Sequence, residues 1–131
     1  MADNQGYLLL YRELMNKPIW TNSTPEQKVI LVTLLMMANH KQNEWEWKGE
    51  KFCVKSGQFI TSLDKIVEKC GKGISTQNVR GSLVRFEKLD FLTNESTKTG
   101  RLITIANWSL YQLELPNPTK QSTKTQQRGN T

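Results

Sequence analysis

Side chains that perform chemistry are scarce in this chain of 131 residues. It contains one histidine, His40, and two cysteines, Cys53 and Cys70, and it shows no carboxylate pair, nucleophile–base pair or phosphate-binding loop. The cysteines lack the spacing of a zinc site, so we expect reduced core thiols, with a disulfide as the less favoured alternative. We therefore predict no enzymatic activity, no metal and no cofactor.

Long apolar runs are also missing. The longest, VILVTLLMMA at 29–38, is about half of the roughly 20 residues that a transmembrane helix needs. The sequence shows no signal peptide either. We therefore expect a cytoplasmic protein that does not bind membranes.

Apolar side chains disappear altogether near the end of the sequence. The segment PNPTKQSTKTQQRGNT, residues 116–131, has no aromatic or aliphatic residue, so it cannot offset the entropy cost of ordering. We expect one folded domain over residues 1–115 and a disordered linker or tail over 116–131. Such a tail suits a connection to a second domain, which would make the chain one module of a longer protein.

Positive charge exceeds negative charge in the sequence. Lysine and arginine together number 18 and aspartate and glutamate 12, which gives a formal net charge of +6. The tail supplies half of that excess through Lys120, Lys124 and Arg128, and it contains no acid. A basic balance favours polyanionic partners such as nucleic acid but does not by itself identify one.

A strong helix start lies at STPEQ. Thr24 is suited to cap the helix, Pro25 fits its first position and Gln27 completes a capping box. The helix predicted over about 25–40 is apolar almost all round, which places it at the centre of the core or against a second subunit. Upstream, residues 7–20 are predicted as a short strand or helix that stops before its proline, and the two residues after that proline pack onto the body.

The middle of the chain is predicted to be extended and then helical. NEWEWKGEKFCVKSGQFIT alternates aromatic and charged residues as a strand does, and KSG at 55–57 marks a turn into the short strand QFIT. Ser62 caps a helix, LDKIVEKC, that ends at GKG, residues 71–73. Ser75 then caps a second helix. Its inward stripe consists of Val79, Leu83, Phe86 and Leu89.

A hairpin follows this second helix. FLTNEST and LITIANW are predicted as two strands joined by a turn that contains Gly100. The order helix, strand, helix, short turn, helix, hairpin is that of a winged helix-turn-helix. We therefore predict an α+β fold, a winged helix-turn-helix with a small β-sheet and a disordered carboxy-terminal tail.

The outer face of the second helix carries side chains typical of DNA recognition. Glutamine and asparagine pair with adenine edges, arginine pairs with guanine, and lysine or arginine neutralises phosphate. Because a helix-turn-helix reads bases from the first turns of its second helix, we predict that Gln77, Asn78 and Arg80 read bases. Gly81 costs about 1 kcal/mol of helix propensity relative to alanine, which suggests that a partner approaches the backbone there.

Basic side chains on and around this helix are predicted to hold phosphates. They are Lys72, Arg85, Lys88 and, on the hairpin tip that would form a basic wing, Lys98 and Arg101. The complete predicted DNA-binding surface is Lys72, Ser75, Thr76, Gln77, Asn78, Arg80, Gly81, Arg85, Lys88, Lys98, Thr99 and Arg101. Two other interpretations stay open: this helix face is simply solvated, or it is buried against a protein partner through Gly81 and Val84.

Three segments carry a resemblance to a known family. They are YRELMNKPIW, ANHKQNEWEWKGEKFCVKSGQFITS and LITIANWSLYQ, with GQFITS and IANWSLYQ as the most specific parts. Over nearly all of residues 5–115 the chain resembles the amino-terminal domain of phage replisome organisers and related DnaD-like replication initiation proteins. The resemblance implies a winged-helix domain that binds origin DNA or self-assembles, followed by a linker and a carboxy-terminal domain that engages the replicative helicase or its loader.

We therefore predict sequence-specific binding of double-stranded DNA in the initiation of replication at a phage or plasmid origin. The expected partners are double-stranded DNA, a second copy of the chain in a homodimer, and a helicase or helicase loader through a carboxy-terminal domain missing from this sequence. One alternative is an assembly module that uses the winged helix for protein–protein contact. Another is a winged-helix transcriptional repressor, because the sequence does not separate origin from operator DNA.

Overall fold

The structure is a computed structural model that describes residues 6–98 and 100–108. It has a mixed α+β fold, which confirms the prediction at that level. The predicted tail over 116–131, the domain boundary at residue 115 and Thr99 lie outside the described residues. Within the described part of the chain, no helix has the length and apolar character needed to cross a membrane.

Helices and strands follow one another in groups along the chain. A 3-10 helix, Arg12–Asn16, and a single helical turn, α1 (Pro18–Thr21), precede the longer helix α2 (Pro25–Met37). Strands β1 (Asn43–Trp47) and β2 (Glu50–Val54) form a hairpin, and β3 (Gln58–Thr61) follows it. Helices α3 (Leu63–Cys70) and α4 (Thr76–Lys88) come next, and strands β4 (Leu92–Thr97) and β5 (Gly100–Ile105) form a second hairpin.

The strands of the described residues form two antiparallel sheets. β1 pairs with β2, and the other three strands form a sheet in the order β3-β5-β4. In that sheet Thr61 of β3 lies opposite Arg101 of β5, and Leu92 of β4 lies opposite Ile105. The β4–β5 hairpin is confirmed. The β1–β2 hairpin is an addition, because the sequence predicts only that this stretch is extended.

Helices α2, α3 and α4 pack on one another and share one core with the three-stranded sheet. The side chains with almost no exposed surface come from all of these elements: Ile30, Leu34, Ile66, Leu83, Phe86 and Ile103. Ile19 and Trp20 pack against this core, as predicted. Lys28 of α2 holds its Nζ atom 5.0 Å from the centre of the Trp20 ring, which helps to fix α1 on α2.

Helix α2 begins where the sequence predicts and ends earlier. Thr24 Oγ1 accepts a hydrogen bond from the Gln27 backbone N–H at 3.2 Å, and Gln27 Oε1 accepts one from the Thr24 N–H at 2.9 Å, so the capping box is confirmed. The helix ends at Met37 rather than near residue 40. The reason is Asn39, which turns away to donate its backbone N–H and its Nδ2 group to Gln58 O, at 3.2 and 2.7 Å.

Two side chains that the sequence predicts in the core lie at the surface. Leu89 is 44% exposed, because α4 ends at Lys88 and Leu89 is the residue that caps it. Cys53 is exposed on β2, because successive strand residues face opposite sides and the buried side belongs to Val54. Cys70 is half-buried against the core, and both cysteines are free.

A close contact between Gly57 and Trp108 joins the start of β3 to the chain that leaves β5. Gly57 has a φ of +84°, and a Cβ atom added there would lie 2.6 Å from Trp108 Cβ. Gly57 also donates its N–H to Asn39 O at 2.7 Å and accepts the Ile105 N–H at 2.9 Å. Only glycine has both the backbone freedom and the small size that this position requires.

We predict that Gly57→Ala lowers the free energy of unfolding by about 2–4 kcal/mol, because it combines overpacking with the strain of a positive φ. Gly49→Ala is the matched control, since Gly49 has a φ of +81° but nothing lies within 4 Å of an added Cβ. Urea unfolding followed by tryptophan fluorescence measures both variants. Equal losses for the two variants would contradict the importance of the Trp108 contact.

Candidate nucleic-acid interface

Helix α4 begins with a reciprocal pair of hydrogen bonds. Ser75 Oγ accepts from the Asn78 backbone N–H at 3.0 Å, and Asn78 Oδ1 accepts from the Ser75 N–H at 2.9 Å. The cap at Ser75 is therefore confirmed. Asn78 is a capping residue as well, a role that the sequence pattern does not predict, and its Nδ2 group is the part of the side chain left for a base.

The rest of α4 has one buried side and one exposed side. Val79, Leu83 and Phe86 are at most 1% exposed and face the core. The exposed positions opposite them are Gln77, Arg80, Gly81, Val84 and Lys88, as the helical spacing predicts. Thr76 is half-buried in the first turn. Polar and basic side chains suited to base edges thus lie in the first two turns of α4 and face outward.

Gly81 stands in the middle of the exposed side of α4. A Cβ atom added at Gly81 would have nothing within 4 Å, and the residue has an ordinary helical conformation. Neither space nor backbone geometry within the described chain therefore requires glycine here. Because glycine costs about 1 kcal/mol in a helix relative to alanine, its presence fits close approach by an outside molecule.

Arg85 is held by the body of the protein. Its Nη1 group donates to Ser23 Oγ at 2.7 Å and its Nη2 group donates to Asn22 O at 3.0 Å. Ser23 Oγ in turn donates to Ile19 O at 2.6 Å, so four residues form one network that joins α4 to α1 and the α1–α2 connection. The sequence predicts a phosphate contact at Arg85, whereas the structure shows a half-buried residue whose guanidinium has two acceptors within the chain.

The tip of the β4–β5 hairpin carries the other predicted basic residues. Lys98 is 85% exposed, and its Nζ atom lies 3.7 Å from an Oε2 atom of Glu50 on the β1–β2 hairpin. Such an exposed ion pair is worth little and leaves the lysine accessible. A Cβ atom added at Gly100 would lie 2.7 Å from Thr61 O, so the hairpin tip passes close to the end of β3. Arg101 is half-buried beside it.

Lys72 completes the predicted set of basic residues and is exposed in the turn between α3 and α4. Thr99, the remaining predicted residue, lies outside the described part of the chain. Among the described residues there is no group of three or more histidine, cysteine, aspartate or glutamate side chains that could hold a metal ion. His40, the only histidine, contacts the Trp108 ring edge-on, with 5.6 Å between ring centres.

Comparison with known proteins gives no match: no family model, no curated protein and no solved structure is similar to this chain. The likeness to replisome organisers and DnaD-like proteins therefore stays a prediction. It depends on the three sequence segments named above.

We predict that Arg85→Ala lowers the free energy of unfolding by about 1–3 kcal/mol, because it removes two hydrogen bonds from a charged donor. Lys88→Ala, one turn further along the exposed side, should change stability by no more than about 0.5 kcal/mol. Chemical denaturation of both variants checks this. Unchanged stability in Arg85→Ala would instead leave Arg85 free for the phosphate contact that the sequence predicts.

Proposed function

We propose that this chain is a winged helix-turn-helix module that binds double-stranded DNA during the initiation of replication. The order of α2, β3, α3, α4 and the β4–β5 hairpin supports the winged-helix assignment, as does the antiparallel sheet order β3-β5-β4. In this proposal α4 is the recognition helix and the β4–β5 hairpin is the wing.

One observation carries the DNA-binding proposal. α4 is a capped, well-packed helix whose first two turns present Gln77, Arg80 and Gly81 to the outside. A recognition helix enters the major groove and bonds base edges through such groups: an amide, a guanidinium and a backbone position without a side chain. Asn78 adds its Nδ2 group, since its Oδ1 atom is used by the cap.

Phosphate contacts in this proposal come from basic residues around α4, of which three are exposed and Arg101 is half-buried. Lys72 lies before the helix, Lys88 at its end, and Lys98 and Arg101 on the wing. Arg85 is given a mainly structural role, because its guanidinium donates to Ser23 Oγ and Asn22 O in the α1–α2 connection. Binding should therefore weaken steeply with salt, since each neutralised phosphate releases counterions.

The assignment to replication depends on the resemblance to replisome organisers. A winged-helix repressor would use the same surface on promoter DNA, so the target sequence decides between the two. The resemblance also supports a homodimer and a link to a helicase or its loader. In a symmetric dimer, two recognition helices about 34 Å apart would read a palindromic site.

A protein-assembly platform is the second candidate, and exposed apolar side chains favour it. Val84 is 49% exposed on the outer side of α4, and Met36 is 60% exposed on α2. Tyr7, Leu10 and Met15 are exposed near the start of the described chain. This candidate predicts self-association that salt does not weaken, together with negligible affinity for DNA.

Arg80→Ala tests the reading of bases. A preferred duplex is first selected from a random library with the unmodified chain, and affinities are then measured by fluorescence anisotropy at several salt concentrations. We expect Arg80→Ala to lose about 1–3 kcal/mol on the preferred duplex and much less on random duplex. Lys98→Ala is the matched phosphate variant and should weaken both duplexes alike while reducing the salt dependence. Equal loss on both duplexes for Arg80→Ala would remove Arg80 from the base-reading set.

Gly81→Ala separates stability from binding. We expect the variant to be more stable by about 0.5–1 kcal/mol, because alanine favours the helix and its Cβ has free space. We also expect it to bind the selected duplex more weakly, because the added methyl group holds the backbone away from the groove. Denaturation and anisotropy on the same preparation give both values. A stabilised variant with unchanged DNA affinity would contradict close approach at this position.

A further inference from the structure

A second surface is lined by residues other than the proposed DNA-binding ones. A groove of about 660 Å³ runs between α2, the β1–β2 hairpin, β3 and α3. None of its described lining residues belongs to α4 or to the β4–β5 hairpin. Its volume is within the range of roughly 300–1,000 Å³ found for binding pockets.

Apolar side chains make up half of the groove lining, and two of them are partly uncovered. Met36 on α2 is 60% exposed and Trp45 on β1 is 37% exposed, and both line the groove. Met37 and Ile60 contribute further half-buried apolar surface. Methionine and tryptophan at an open groove are well suited to partners with apolar anchors, because methionine adapts its shape and tryptophan offers a large flat surface.

The shape of the groove follows from the β1–β2 hairpin. Asn43 lies opposite Val54 and Trp45 lies opposite Phe52, so these residues share one face of the hairpin. The Trp45 and Phe52 rings stack with their centres 5.5 Å apart, which holds Trp45 in place. Asn39, bonded to Gln58 O, fixes the chain between α2 and the hairpin. Ring stacking and the Asn39 hydrogen bond thus hold this side of the groove in place.

The charged side chains that line the groove are all positive. Lys65 and Lys69 of α3 line it, and no acidic side chain does so among the described residues. Neither lysine forms an ion pair in the described part of the chain. Two like charges four residues apart on a helix repel each other, so an anion placed between them would be favourable.

We propose that this groove binds an acidic amphipathic peptide segment of a partner protein. Apolar side chains of the segment would cover Met36 and Trp45, and its carboxylates would pair with Lys65 and Lys69. Duplex DNA would satisfy the lysines but leave the apolar walls uncovered. The chain's own tail, residues 116–131, has basic residues and no acid, so it carries the wrong charge. The proposal does not depend on DNA binding by α4.

The test uses a pair of designed peptides and a charge reversal. The probe is a fluorescein-labelled 14-residue peptide with leucine and phenylalanine along one helical face and glutamate on the other, and the control peptide has lysine in place of every glutamate. We expect the full chain to bind the acidic peptide at least about tenfold more tightly. In the double variant Lys65→Glu/Lys69→Glu this preference should reverse, which also shows that the variant is folded.

A matched double variant, Lys41→Glu/Lys55→Glu, changes two exposed lysines outside the groove and should keep the preference for the acidic peptide. Met36→Glu should weaken the acidic peptide at least about tenfold, because it places a charge on the apolar wall. Failure of the acidic peptide to bind, or equal binding of both peptides, would overturn the proposal. Reversal of the peptide preference by Lys41→Glu/Lys55→Glu would also overturn the proposal, because these two lysines lie outside the groove.

Two further measurements separate this groove from other occupants. Random-duplex affinity of Lys65→Glu/Lys69→Glu should match that of Lys41→Glu/Lys55→Glu, which changes the net charge by the same amount, and a clearly larger loss would make Lys65 and Lys69 DNA contacts. Sedimentation velocity on Met36→Glu should show an unchanged oligomeric state. A dimer that this variant dissociates would make the groove an interface between two copies, and the peptide proposal would be wrong.

Discussion

The packing of α4 into the helical core is the constraint on which the rest of the structure depends. Val79, Leu83 and Phe86 are buried against α2, α3 and the sheet, and such side chains contribute about 1.5–3 kcal/mol each when fully buried. Their burial fixes the rotation of α4 about its axis and so decides which residues face outward. Phe91 then donates its N–H to Phe86 O at 2.9 Å, which sets where β4 begins and where the wing leaves the body.

Local signals in the sequence predict most of this fold, because caps and stripes involve residues a few positions apart. The caps at Thr24, Ser62 and Ser75 and the buried side of α4 follow from such signals. Contacts between distant residues do not: Arg85 bonds Ser23 from 62 positions away, and no pattern near either residue indicates it. For the candidate site, exposure could therefore be predicted for most side chains, but the internal bonds of Arg85 could not. The capping role of Asn78 could not be predicted in this way, because capping boxes more often end in glutamate or glutamine.

The two proposed binding surfaces differ in what accompanies their positive charge. On α4 and the wing the basic side chains stand beside an amide and an exposed glycine, which suits a polar partner with base edges and phosphates. Beside α3 the lysines stand next to Met36 and Trp45, which suits a partner with apolar side chains and carboxylates. A module with both surfaces would bind DNA through one set of residues and a protein segment through another.

Mapping of backbone amide shifts on addition of duplex DNA tests the central proposal most directly. The measurement is a series of two-dimensional ¹H–¹⁵N spectra of the full chain titrated with a selected duplex at low salt. We predict that the largest changes fall on Gln77 to Gly81 and on the wing around Lys98 and Arg101, with small changes around Lys65 and Lys69. Changes confined to the groove beside α3, or no changes at all, would contradict the assignment of α4 as a recognition helix.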